Sequence, residues 1–173
     1  MRGVASFLAL AGYLLASAAA ATDPADSAAE KARCESLGKW TPVHLTTAGI
    51  EAALPCSEAE VAAWRAADPV RQQPGIAACE HAGRTFHIIY AVNTPRGFFD
   101  SLVARSTSDQ RHSEVFSGHR LFRESSHDPA HAMQLIEIDD SRSVIMSAAA
   151  AGPADADFQT VSGCFLNALG LTQ

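Results

Sequence analysis

The stretch IAACEHAGRTFHIIYAV, residues 76–92, decides the fold of this 173-residue chain. An apolar segment from Ile76 to Glu80 leads into turn residues 81–84, and a second segment follows from Thr85 to Val92. Two β-rich segments around a short turn that contains glycine are typical of an antiparallel hairpin. Because side chains alternate along a strand, one face of the second strand carries Phe86, Ile88, Tyr90 and Val92.

Further strands are predicted on both sides of this hairpin. On the N-terminal side, two short extended pieces flank Ala48-Gly49, between Val43 and Leu54. On the C-terminal side, the candidates are Glu114–Ser125, with Gly118 as the candidate bulge position, Ala132–Asp139 and Ser143–Ala150, the last two joined by a tight turn at 140–142.

Four helices are predicted between and around the strands. Ser27 and Glu30 have the spacing of a capping box, as do Ser57 and Glu60, so each pair indicates a helix start. A third helix follows Pro95, and we expect its apolar stripe, Phe98, Phe99, Leu102 and Val103, to cover the face of the hairpin that carries Phe86. The last helix carries an apolar side of Phe158, Val161, Phe165 and Leu169 and ends at Gly170.

Single helices that interrupt runs of strands, without βαβ alternation, predict an α+β fold: an antiparallel β-sheet with helices packed on it. The first 21 residues have the order of a secretory signal peptide, with Arg2, an apolar run and then small residues. We therefore divide the chain into a signal peptide (1–21), a disordered lead-in (22–26) and a single α+β domain (27–173). No transmembrane segment is expected after cleavage.

Charge restricts the partners that this domain can have. Only one of the 13 Lys and Arg residues lies in the predicted signal peptide and none of the 19 Asp and Glu residues does, so the mature chain has a formal net charge of about −7. Nucleic acids and anionic membrane surfaces require clustered Lys and Arg. The composition therefore argues against both as general partners.

The four cysteines, Cys34, Cys56, Cys79 and Cys164, are best explained as two disulfides, since exported proteins fold in oxidising compartments. Three pairings are possible. We favour Cys56 with Cys79, because the short segment between them closes a modest loop, and Cys34 with Cys164, which would tie the first helix to the last. No C-x-x-C pair or cysteine and histidine spacing points to metal binding instead.

Several of these features together resemble the PsbP-like family, whose fold is an α/β/α sandwich. They are Trp40, the segment from Ala48 to Pro55, the hairpin and the closing helix from Phe158 to Leu171. The resemblance implies that the strand ending in Leu54-Pro55 opens an antiparallel sheet on which the last helix packs. It also implies a binding or accessory role, as in exported bacterial members of unknown function, without a shared catalytic site. The helix after Ser57 and the Cys34 and Cys164 pair depart from the family pattern.

Four of the seven histidines, His112, His119, His127 and His131, fall within twenty residues and are the candidate metal ligands. His127 and His131 have the i, i+4 spacing of two ligands on one helical face, but Pro129 between them disfavours a helix. Ser36 and Lys39 match S-x-x-K, but the serine closes a helix instead of opening one. Surface histidines are therefore the preferred interpretation.

The sequence thus favours a periplasmic or secreted domain without a cofactor, which binds an unknown protein or envelope component and has no catalytic residues. The alternative is a metal-dependent or hydrolytic enzyme. Its site would require the histidines of residues 112–131 to converge on one pocket.

Overall fold

A computed structural model describes residues 29, 32–45, 50–108 and 110–171 of the chain. The predicted signal peptide, the lead-in, the capping box at Ser27 and Glu30 and the turn at Ala48-Gly49 lie outside these residues. The described part of the first helix, α1, comprises residue 29 and residues 32–36. None of the described helices is long and apolar enough to cross a bilayer.

A six-stranded antiparallel sheet forms the centre of the molecule, in the order β3-β4-β8-β7-β6-β5. Its strands are β3 (Ile76–His81), β4 (Arg84–Val92), β5 (Gln110–Phe116), β6 (His119–Ser126), β7 (His131–Asp139) and β8 (Arg142–Ala150). The predicted hairpin is confirmed as β3 and β4, which pair from Ile76 with Ile89 to His81 with Arg84. Its turn is Ala82-Gly83, where both residues have positive φ, as a type I′ turn requires.

The prediction of one bulged strand over Glu114–Ser125 is wrong, because this region is the β5–β6 hairpin. Ser117 and Gly118 have φ angles of 49° and 82° and form the two-residue turn between the strands. A serine followed by a glycine suits a bulge or a tight turn equally well in the local sequence. Here the chain reverses, so β5 and β6 pair from Phe116 with His119 to Gln110 with Ser125.

A small sheet and four helices complete the fold. The small sheet has the order β1-β2-β9, with β1 at Thr41–Leu45, β2 at Ile50–Leu54 and β9 at Gly170–Leu171. Helix α2 (Glu58–Ala66) lies against β3, α3 is Phe98–Arg105 and α4 is Ala156–Asn167. The fold is therefore α+β, with helices packed on an antiparallel sheet.

The larger hydrophobic core lies between the six-stranded sheet on one side and α4 and the small sheet on the other. Phe86, Ile88 and Met146 of the sheet pack there with Phe158 and Phe165 of α4. The Phe86 and Phe165 rings meet edge to face with their centroids 5.4 Å apart.

Helix α3 covers the opposite face of the sheet from the one expected. Its Phe99 packs with Phe122 and Leu135, whereas Phe86, Ile88 and Tyr90 belong to the core under α4. The error arose because the central strands carry apolar residues on both faces, so an apolar stripe in the sequence does not reveal which face a helix takes. The sheet is consequently a layer between α3 and α4.

Two disulfides connect these elements, Cys34 with Cys164 and Cys56 with Cys79, which is the pairing expected from the sequence. The Cα atoms of the two pairs are 5.5 Å and 6.5 Å apart. The first disulfide ties α1 to α4, where Arg33 also donates to Thr160 and the Trp40 indole donates to the carbonyl of Cys34 at 2.9 Å. The second ties the start of α2 to β3.

We predict that the Cys34→Ala/Cys164→Ala double variant remains folded but loses a few kcal/mol of unfolding free energy. The chain-entropy model gives about 5 kcal/mol for a loop with the 130-residue separation of this pair, and about 3 kcal/mol for the 23-residue separation of Cys56 and Cys79. Urea unfolding monitored by circular dichroism measures the loss. A non-cooperative transition would show that the core does not survive without this disulfide.

Candidate functional site

A groove of about 710 Å³ lies between α4 and the β5, β6 and β7 strands, and we call it the α4 groove. Its polar and charged lining comes from the strands and the loop after β6, and its apolar lining comes mainly from α4. The lining residues include Gln110, Arg111, His112, Arg123, Glu124, Ser125, His127, His131, Ala132, Ala154, Phe158, Gln159, Ser162, Gly163 and Leu166.

Three polar residues on neighbouring strands form a row across the face of the sheet that lies toward α4. His112 of β5 pairs with Arg123 of β6, and Arg123 pairs with Gln134 of β7. Arg123 is two residues from Leu121, which belongs to the core under α4, so both side chains project from the same face. Cross-strand register thus builds a polar row where the apolar core ends.

Gln134 holds Arg123 in a defined orientation. The Arg123 Nε donates a 2.7 Å hydrogen bond to Oε1 of Gln134, whose side chain is buried with 2% of the residue exposed. No carboxylate among the described residues forms a salt bridge with Arg123. A guanidinium that has a fixed orientation but no carboxylate partner can donate hydrogen bonds to an anionic group, which it binds best in a bidentate manner.

Gly163 makes room in the wall of the groove. It lies in the middle of α4, where glycine costs about 0.5–1 kcal/mol relative to alanine, yet a Cβ at this position would meet nothing within 4 Å. Packing in the described structure therefore does not require a glycine here.

The structure brings three of the four candidate histidines to the α4 groove. His112, His127 and His131 contribute to its lining. His119 begins β6 and is separated from His127 by a full strand, a distance of more than about 20 Å. Over the described residues, no three His, Cys, Asp or Glu side chains are grouped closely enough to hold a metal ion.

A second polar cluster lies at the start of α2, beside a smaller cavity. His81 Nδ1 is 2.7 Å from Oε1 of Glu60, and Ser57 Oγ donates to Oε2 of the same carboxylate at 2.8 Å. These contacts, led by the hydrogen bond with His81, lower the pKa of Glu60 to about 2. The serine contacts the carboxylate and not the histidine, so this cluster lacks the nucleophile and base contact of a hydrolase. Ser57 and Glu60 instead form the predicted capping box.

Sequence reasoning missed Arg123, Gln134 and Gly163. None belongs to a motif, and the first two become a pair only through the register of β6 with β7. The one available signal was the concentration of basic residues near the middle of the otherwise acidic chain, at Arg105, Arg111, Arg120 and Arg123.

Comparison with models of protein families found no match to this chain, and comparison with curated proteins found none either.

We predict that Zn²⁺, Fe²⁺ or Mn²⁺ added singly to the purified protein shows no stoichiometric binding tighter than about micromolar, because the groove histidines do not form a ligand cluster. Isothermal titration calorimetry measures this affinity. One equivalent of tightly held metal that is lost on His127→Ala would favour the enzyme alternative.

The Glu60 carboxylate predicts a defined pH dependence of stability. Because its pKa falls from an ordinary value of 4.5 to about 2 on folding, its contribution is complete above pH 4.5 and is lost as the pH falls toward 2. Glu60→Gln should therefore lower the free energy of unfolding near neutral pH, with the difference from the wild type shrinking across this window. Urea titrations at a series of pH values measure it. Glu58→Gln, which removes a carboxylate from the same helical turn and leaves the contacts of Glu60 with Ser57 and His81 in place, is the matched control.

Proposed function

We propose that this chain is an exported, non-enzymatic binding domain, and that the α4 groove receives an acidic segment of a protein partner in the cell envelope. The observation that carries the proposal is the Arg123 guanidinium, oriented by the buried Gln134 and lacking a salt bridge within the described chain. Although the full sequence has a formal net charge of −6, several of its cationic and titratable side chains lie together in the lining of this groove.

The disulfides and the N-terminal sequence both support the proposed compartment. Two disulfides fit a protein that folds in the periplasm or outside the cell. The predicted signal peptide would direct the chain there. A binding role also agrees with the resemblance to the PsbP-like family, whose members are mostly described as binding or accessory proteins.

The hydroxyl groups in the groove support binding over hydrolysis. Ser162 donates to the carbonyl of Gln159, Ser125 to the amide oxygen of Gln110, and Ser126 to the carbonyl of Pro129. None of these acceptors can remove a proton at neutral pH, so these hydrogen bonds do not activate the serines as nucleophiles.

The residues that line the groove favour a segment of polypeptide with both acidic and apolar residues. Ala132, Phe158 and Leu166 form an apolar part of the lining that also contains Arg123, His112 and His131, and 6%, 3% and 8% of their respective surfaces remain exposed. An acidic side chain can reach the guanidinium while a neighbouring apolar side chain packs against α4 and occupies the space beside Gly163.

Selection of peptides from a displayed random library tests the proposal. We expect enriched peptides to combine Asp or Glu with Leu or Phe, and to lose at least about tenfold in affinity for Arg123→Gln, since a charge-assisted contact is worth about 1.5–3 kcal/mol. Gly163→Trp should block the groove and abolish binding. Fluorescence anisotropy with a labelled selected peptide measures both effects.

Two further variants serve as controls for this experiment. Arg65→Gln removes the same charge from an exposed position on α2 and should bind as the wild type does. Gly163→Ala should retain binding and raise the unfolding free energy by about 0.5–1 kcal/mol. Peptides that bind equally well to Arg123→Gln and Gly163→Trp would contradict the proposal.

A further inference from the structure

Strand β5 is an edge strand, and all seven of its residues are exposed. Among the described strands it lies at one end of the strand order and has β6 as its single neighbour, over seven consecutive residue pairs without a register shift. It contains no proline and no bulge, two of the features by which proteins protect an edge. Its backbone is therefore available to a further strand.

The β5–β6 turn determines which backbone groups of β5 point outward. In a hairpin with a two-residue turn, the flanking residues, here Phe116 and His119, exchange both backbone hydrogen bonds. Hydrogen-bonded and non-hydrogen-bonded pairs then alternate along the strand. Arg111, Ser113 and Val115 consequently present their N–H and C=O groups to the free side.

We infer that β5 pairs with β5 of a second copy of this chain, antiparallel and with the two-fold axis at Ser113. In this register Ser113 faces its own counterpart through outward-pointing backbone groups, and all seven residues of each strand find a partner. The two six-stranded sheets become one continuous sheet. The occupant is a second copy because the sequence around Ser113 is complementary to itself.

Complementary side chains select this register, since an imidazole N–H donates to a carboxylate whether or not the ring is protonated. His112 lies opposite Glu114 of the second copy, and the symmetry produces this pair twice. Within one chain the two side chains already share a face, with His112 Nε2 and Glu114 Oε2 3.5 Å apart. A two-fold axis at Glu114 would place two carboxylates directly opposite each other, which is destabilising.

The same register covers exposed apolar surface. Val115 and Phe116, with 71% and 39% of their surface exposed, are two large hydrophobic residues at the end of β5. In the dimer Val115 lies opposite Arg111, whose aliphatic stem can cover it, and Phe116 lies opposite Gln110. The interface is small, so we expect reversible association.

Sedimentation equilibrium of the mature chain in about 0.15 M salt tests the inference. We expect the average mass of the wild type to rise toward twice that of the monomer with concentration. His112→Glu and Glu114→Lys should each weaken the dimer by about tenfold, because each replaces both attractive pairs. Mixing these two variants restores Glu–Lys and Glu–His pairs and should yield a heterodimer. The double variant His112→Glu/Glu114→Lys should dimerise by itself.

Ser113→Pro provides a backbone test. It removes an outward N–H that takes no part in the β5–β6 ladder, so it should abolish the dimer while the circular dichroism spectrum remains that of the wild type. The charge variants retain the backbone and keep the test valid if this variant fails to fold. A wild type that is monomeric up to about 1 mM, or a dimer that resists the single charge variants, would overturn the inference. Pairing of β5 with a strand of another protein would give the first of these results.

Discussion

The nine-residue pairing of β4 with β8 is the interaction on which the rest of the structure depends. It runs from Arg84 with Ala150 to Val92 with Arg142 and joins segments about fifty residues apart in sequence. The pairing closes a long loop, which costs conformational entropy, and it buries Phe86, Ile88, Val144 and Met146 on the face of the sheet under α4. Small residues at Ala132 and Ala148 allow α4 to approach this centre closely, so Phe158 and Phe165 can fill the space above it. Strand β3 extends the sheet on one side of this pair, and strands β7, β6 and β5 extend it on the other.

Most local features of the fold could be predicted from the sequence, whereas the nonlocal ones, apart from the two disulfide pairings, could not. The β3–β4 and β7–β8 hairpins and the start of α2 depend on residues within a few positions of each other, such as Ser57 and Glu60. The strand order and the face that α3 covers depend on contacts between distant segments. The Ser117-Gly118 turn was misassigned for a related reason, since only pairing across the turn distinguishes a reversal from a bulge.

The candidate site was less predictable than the fold. The histidines were the predicted site residues because their side chains can bind metals, and three of them do line the groove. The organising contact, however, is between Arg123 and Gln134, two residue types without a motif. They meet because β6 and β7 pair in one register, and a shift of one residue would have placed Arg123 opposite another side chain and on a different face. A site that depends on register leaves no spacing in the linear sequence.

The two edges of the large sheet differ in a way that bears on function. On β3, Ala77, Ala78 and Cys79 are buried on both faces, α2 packs alongside, and the Cys56–Cys79 disulfide fastens the start of that helix to the strand. On β5, every residue is exposed and neither disulfide joins the strand. Because both edges belong to one sheet, stability alone does not account for covering one and leaving the other open. The open edge also forms the outer wall of the α4 groove, so the surface where the polar row begins at His112 is the one that the fold leaves accessible to another chain.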